Sequence, residues 1–155
     1  MQKILVSACL LGQPVRYDGL GKGISDPRLA RWQAQGRLVT FCPELAGGLP
    51  VPRAPAERQG ERVMTVQDED VTAAFAAGAQ AALQLCQVQG IHLALLKEGS
   101  PSCGSQQIYD GRFAGQRVAG EGVTTALLRV HGIRVYSEMQ LAELAAVLGE
   151  DGACQ

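Results

Sequence analysis

The chain has 155 residues, 46% of them hydrophobic and 19% charged, with a formal net charge of −1. That balance fits one globular domain with a single core and excludes a disordered chain. It offers no large basic footprint for a nucleic-acid backbone, and no apolar run approaches the roughly 20 residues needed to span a bilayer.

The N-terminal apolar stretch is short and runs straight into a Gly/Pro/Arg segment. It lacks the charged entry and cleavage signal of a secretory peptide, so a soluble, cytoplasmic protein is expected. Lys3 to Ser7, rich in Ile, Leu and Val, reads as a buried strand of a parallel sheet. Asp26-Pro27 is a helix start, a capping side chain followed by proline at the first helical position. The helix runs from about Pro27 to Gln35 and stops at Gly36. Arg37 to Phe41 is a second strand. Cys42 to Gly60 holds Pro43, Gly47, Gly48, Pro50, Pro52 and Pro55, too closely spaced for any long regular element, and a loop of that length inside a compact domain is usually functional. Arg62 to Val66 is a short edge strand. Asp70 caps a long Ala-rich helix from Val71 to about Gln89, closed by Gly90. Ile91 to Lys97 is the next buried strand. Glu98 to Gly122 is a second Gly-rich loop region, with a small hairpin around Tyr109-Asp110-Gly111-Arg112. Val123 to Val130 is helical and ends at His131-Gly132, Ile133 to Tyr136 is a last strand, and Met139 to Leu148 a closing helix. Trp32 and Phe75 fall on helices as core residues.

The alternation of strands and helices predicts an α/β, Rossmann-like three-layer sandwich with a small, mainly parallel sheet of about four or five strands. Residues 1–149 are expected to form a single domain and 150–155 a C-terminal tail.

The five cysteines are an odd, unevenly spaced set, a poor disulfide framework. Cys86 lies within the Ala/Leu-rich helix and reads as a small buried apolar residue. Cys154 is next to the C-terminus and is assigned no role. Cys9, Cys42 and Cys103 differ: each follows a predicted strand and sits in turn chemistry. Ligands of open α/β sheets bind outside the carboxyl ends of the strands. The three are therefore expected to share one rim, where three thiolates suit a soft metal or an iron–sulfur cluster. His92 and His131 are given no metal role, His131 being placed to meet the last carbonyls of its helix. Gly21-Lys22-Gly23 is not a phosphate loop, since the full Walker pattern is absent.

The chain resembles the bacterial thiouracil desulfidase family, in its short single-domain form. The matching segments are Val6-Ser7-Ala8-Cys9-Leu10-Leu11-Gly12, Val15-Arg16-Tyr17-Asp18-Gly19, Cys42-Pro43-Glu44, Gly47-Gly48-Leu49-Pro50 and Pro52-Arg53. They continue with Leu96-Lys97-Glu98, Ser100-Pro101-Ser102-Cys103-Gly104, Ile108-Tyr109-Asp110-Gly111 and Gly120-Glu121-Gly122-Val123. One departure is Gly99, where relatives often carry a larger residue; it is expected to loosen the loop that holds Cys103.

The resemblance implies a 4Fe–4S cluster held by three cysteines, which land on Cys9, Cys42 and Cys103, with one iron open. It implies two catalytic helpers, matched by motif to Glu44 and Ser100, and a reaction that removes sulfur from 2-thiouracil or a related thiolated nucleobase or nucleotide, giving uracil and sulfide. Free base, nucleoside, nucleotide and tRNA-bound base are the alternative forms of that substrate. Glu44 stands two residues from Cys42, within reach of general acid–base work; capping or an ion pair with Arg53 is its structural alternative. Ser100 could relay a proton, or be an ordinary turn serine before Pro101. Arg16, Asp18 and Lys22, in the loop after Cys9, together with Ser102, are candidates to face the substrate. Asp18-Gly19 and Asp110-Gly111 are also plain turn signals. Two other readings use the same cysteines: a zinc-dependent hydrolase, although the deaminase His-x-Glu and Pro-Cys-x-x-Cys signature is missing, and a non-catalytic sulfide or redox sensor.

Overall fold

A computed structural model describes residues 2–21 and 23–149. Lys22 and the expected tail 150–155, with Cys154, lie outside the described residues. In chain order the elements are β1 (Ile4–Ser7), α1 (Pro27–Ala34), β2 (Leu38–Phe41), α2 (Pro43–Ala46), β3 (Ala56–Gln59), β4 (Arg62–Thr65), α3 (Thr72–Gln89), β5 (Leu93–Leu96), β6 (Gln107–Tyr109), β7 (Arg117–Ala119), α4 (Val123–Val130), β8 (Arg134–Ser137) and α5 (Leu141–Val147).

Four strands form the main sheet in the order β2-β1-β5-β8, and every pairing in it is parallel. The side-chain period of two divides each strand between the faces. Leu93 and Leu95 of β5, with Ile4 and Val6 of β1, meet Leu29 and Trp32 of α1 and Leu141 and Leu144 of α5. Ala94, Leu96 and Leu5 point the other way, onto Ala82, Leu83 and Cys86 of α3 and Leu128 of α4. The result is the expected helix–sheet–helix sandwich. Trp32 and Phe75 are buried as expected, and so is Cys86.

The local signals explain most boundaries. Asp26 accepts the Arg28 amide at 2.8 Å, with Pro27 at the first helical position of α1. Asp70 accepts the Thr72 amide at 2.9 Å, so the start of α3 falls one residue later than expected. Gly90, at φ +66°, closes that helix in the left-handed conformation. His131 Nδ1 lies 3.1 Å from the Leu127 carbonyl, meeting the end of α4.

Three expectations need correction. Arg62–Thr65 is not an edge of the main sheet: it pairs antiparallel with β3 in a separate two-stranded ribbon. β3 itself was hidden because it is polar and sits just after Pro55, inside the proline-rich segment. That segment also makes one short helical turn, α2, begun by Pro43. The β6–β7 hairpin exists, but its turn is wider than Tyr109–Arg112, closing through the Asp110 amide and the Gln116 carbonyl at 3.0 Å.

Candidate metal centre

The carboxyl ends of β1, β2 and β5 open onto one cavity of about 570 Å³, a size typical of small-molecule sites. Cys9 reaches it from the 3₁₀ turn Ala8–Leu11 that follows β1. Cys42 reaches it from the junction of β2 and α2, and Cys103 from the loop after β5. Glu44, Ser100 and Arg16 line the same cavity. Thus the three cysteines and both expected catalytic helpers, which span nearly a hundred residues of sequence, come together.

The thiols differ in setting but share a trend. Burial pushes the Cys9 thiol up to about 11, against the pull of the nearby Lys97 ammonium. Burial also raises Cys42. It drives Cys103 up to about 12, the hydrogen bond from Ser7 opposing. Neutral thiols packed in this way behave as small apolar groups. Cys9 belongs to the core on the α1/α5 face and Cys103 to the core on the α3/α4 face.

Among the described residues, no three His, Cys, Asp or Glu side chains gather around a single ion. A lone zinc needs such a tetrahedral set. Three free, soft donors lining one cavity suit an iron–sulfur cluster.

The Cys103 loop is pinned at several points. Ser100 Oγ accepts the amides of Ser102 and Cys103 at 3.0 and 3.1 Å, and Thr125 Oγ1 donates to the Cys103 carbonyl at 2.9 Å. The buried Glu98 carboxylate organises the rest. It accepts the amides of Gly99, Ser105, Gln106 and Gln107 and the Ser105 hydroxyl, all between 2.8 and 3.2 Å. Burial alone would raise this carboxyl; those bonds outweigh it and hold it below the ordinary glutamate value. Gly99, the position singled out in the sequence, donates one of these bonds and adopts φ +84°, where a larger residue would be strained.

Glu44 is ion-paired with Arg53, and both side chains are largely buried. Arg53 also donates to the carbonyls of Pro50 and Val15 at 3.1 Å each. The ion pair that was the structural alternative for Glu44 is thus present, yet Glu44 still faces the cavity. Lys97, also lining the cavity, contacts Glu138 Oε2 through Nζ at 2.9 Å and donates to the Glu98 carbonyl at 2.9 Å. Glu57, also on the cavity wall, accepts the amides of Gly111 and Phe113 and ties the two ribbons together.

Two expected substrate contacts are placed elsewhere. Ser102 is fully buried, its hydroxyl 2.7 Å from Thr124 Oγ1, and does not line the cavity. Asp18 accepts the Leu20 amide at 3.0 Å and lies 3.9 Å from Arg16, serving its turn. Lys22 is outside the described residues. Conversely, Ser7, Lys97, Glu98 and Glu138 had no role assigned from sequence. The available signal was a lysine and a glutamate directly at the end of an all-apolar strand, Leu93–Leu96.

A Rossmann-like sheet that gathers three thiols and a carboxylate at its strand ends defines a cofactor-dependent α/β enzyme. Residues 4–140 match the model of the 2-thiouracil desulfurase family, and the chain belongs to that family. A solved structure of a [4Fe-4S]-dependent thiouracil desulfidase, TudS, is 65% identical to it, with a TM-score of 0.95, covering 96% of this chain and 99% of that one. The uncharacterized protein YbbK of Bacillus subtilis (strain 168) is 38% identical over 151 residues, 91% of this chain and 99% of YbbK.

Proposed function

We propose that this chain is a [4Fe–4S]-dependent desulfidase that converts 2-thiouracil or a related thiolated nucleobase, with water, into uracil and sulfide. Cys9, Cys42 and Cys103 would hold the cluster, leaving one iron without a protein ligand. The observation that carries this reading is the convergence of those three thiols with Glu44 and Ser100 on one cavity. No helix among the described residues is long and apolar enough to cross a membrane; a cytoplasmic enzyme acting on a small molecule fits that and the near-neutral charge.

Bound there, the cluster supplies a soft Lewis acid for a thiocarbonyl sulfur, polarising its carbon towards water. The remaining work falls to side chains. Glu44 Oε2, oriented by Arg53, takes one proton from the attacking water and returns it to the sulfur. As the C–S bond breaks, the proton of the new hydroxyl follows by the same carboxylate, so that carbonyl and hydrogen sulfide are released. Ser100 Oγ already accepts two amides, which leaves its own proton to be donated to the substrate. The apolar rings and prolines of the wall, Phe41, Pro43, Pro55 and Phe113, limit water around the reacting carbon.

Anaerobic reconstitution with iron and sulfide, followed by assay of 2-thiouracil conversion, tests the reading. Four irons per chain and release of uracil and sulfide are expected. A cluster without turnover of any thiolated base makes the protein a sensor instead, and one zinc per chain overturns the cofactor.

A further inference from the structure

We infer that Ser7 is a positioning residue that tunes the cluster through Cys103, its hydroxyl donating a hydrogen bond to the ligating sulfur. The inference rests on the cluster reading above. Ser7 Oγ stands 3.7 Å from Cys103 Sγ, within sulfur hydrogen-bonding range, although the two residues are 96 apart in sequence. The same oxygen accepts the Lys97 amide at 3.0 Å. That amide occupies one lone pair and fixes the rotor, so the hydroxyl hydrogen is directed away from β5 and onto the sulfur. Ser7 is only 3% exposed, which leaves the hydroxyl little access to solvent as a competing acceptor. As the last residue of β1, held in register with Phe41 of β2, it is part of a rigid sheet rather than a mobile loop.

A donor aimed at a ligating sulfur withdraws charge from it. Such bonds, with net charge and solvent exposure, set the reduction potential of iron–sulfur clusters. They also make the irons poorer in electrons, and an iron poorer in electrons binds a thiocarbonyl sulfur more strongly. Ser7 is thereby assigned to the electronics of the site, with no contact to substrate required.

The test compares anaerobically loaded wild type, Ser7→Ala and Ser7→Thr, by potentiometric titration followed by electron paramagnetic resonance and by resonance Raman of the Fe–S modes. Ser7→Ala is expected to keep its iron and sulfide and to become harder to reduce. A tenfold change in the one-electron equilibrium corresponds to about 59 mV. Ser7→Thr, which keeps the hydroxyl, should restore the wild-type potential and modes. Unchanged potential and modes in Ser7→Ala, or a shift in Ser7→Thr as large as in Ser7→Ala, overturn the inference while leaving the proposed function intact. If Ser7→Ala retains no cluster, Ser7→Thr decides: wild-type behaviour supports the inference and a second loss overturns it. A wild-type chain that takes up no cluster overturns the proposed function and the inference together.

Discussion

Gly78, in the middle of α3, lies against the backbone of Pro43 so closely that a single added Cβ would collide with the Pro43 carbonyl. The contact is reciprocated: a Cβ on Gly47 would collide with the Ala74 carbonyl of α3. The short helix carrying Glu44, and Cys42 just before it, is thus seated on α3 backbone to backbone. Gly78→Ala would gain intrinsic helix propensity, but the collision decides the sign. A loss of about 1–3 kcal/mol is expected from forced overpacking, together with poorer cluster retention. Urea unfolding of the apo protein and iron content after gel filtration check the two effects; a more stable, fully loaded Gly78→Ala rules out the seat.

Replacing one proposed ligand should be decisive where replacing a core cysteine is not. Cys103→Ala is expected to lose cluster absorbance and thiouracil turnover together. Cys86→Ala, altered inside α3 and away from the cavity, should keep both, with only the loss of stability that follows truncating a buried side chain. Iron and acid-labile sulfide analysis beside the activity assay distinguishes them. Equal loss in both variants points to folding rather than ligation.

Glu44→Gln keeps the shape of the side chain and removes its proton chemistry. Turnover should fall by about 10²–10⁴-fold, the usual worth of a general acid–base group, while iron content stays at the wild-type level. Arg53→Met should lower both turnover and stability, because it leaves the largely buried Glu44 carboxylate without its cation. Wild-type turnover in Glu44→Gln would remove it from the chemistry and leave only the ion pair.

Glu98 makes stability depend on pH in a defined direction. Its carboxyl is held below the ordinary value in the folded chain, so the unfolded chain binds more protons as the solution is acidified. The stabilisation is present above the ordinary glutamate pKa and is lost as pH falls through the folded value. Glu98→Gln should therefore cost about 1–3 kcal/mol near neutral pH and progressively less as the pH is lowered below the ordinary glutamate value. Denaturant titrations at a series of falling pH values measure the difference, and a constant cost throughout would show that the charge is not what holds the loop.

Much of this was legible in the sequence, for physical reasons that differ between parts. Ile4–Ser7 and Leu93–Leu96 are apolar throughout because both faces of a parallel strand are covered, so their type and place were readable. Knowing where those strands end placed Cys9, Cys42 and Cys103 on one rim. β3 was not readable, since Ala56-Glu57-Arg58-Gln59 has little strand character of its own and is held by pairing with β4. Ser102 and Asp18 looked like substrate groups because their neighbours in sequence face the cavity; a one-residue step along a turn points the side chain into Thr124 or back at the turn itself. Ser7 and Glu98 depend on contacts that no spacing reveals, the first to a residue 96 positions away and the second to four backbone amides.

The packing of Cys9 into one core and Cys103 into the other puts the two sulfurs under the control of opposite layers of the sandwich. Repacking around Leu29 and Trp32 on one side, or around Ala82 and Leu128 on the other, acts on a different thiol of the same cavity. The site therefore has no supporting face that can drift without consequence.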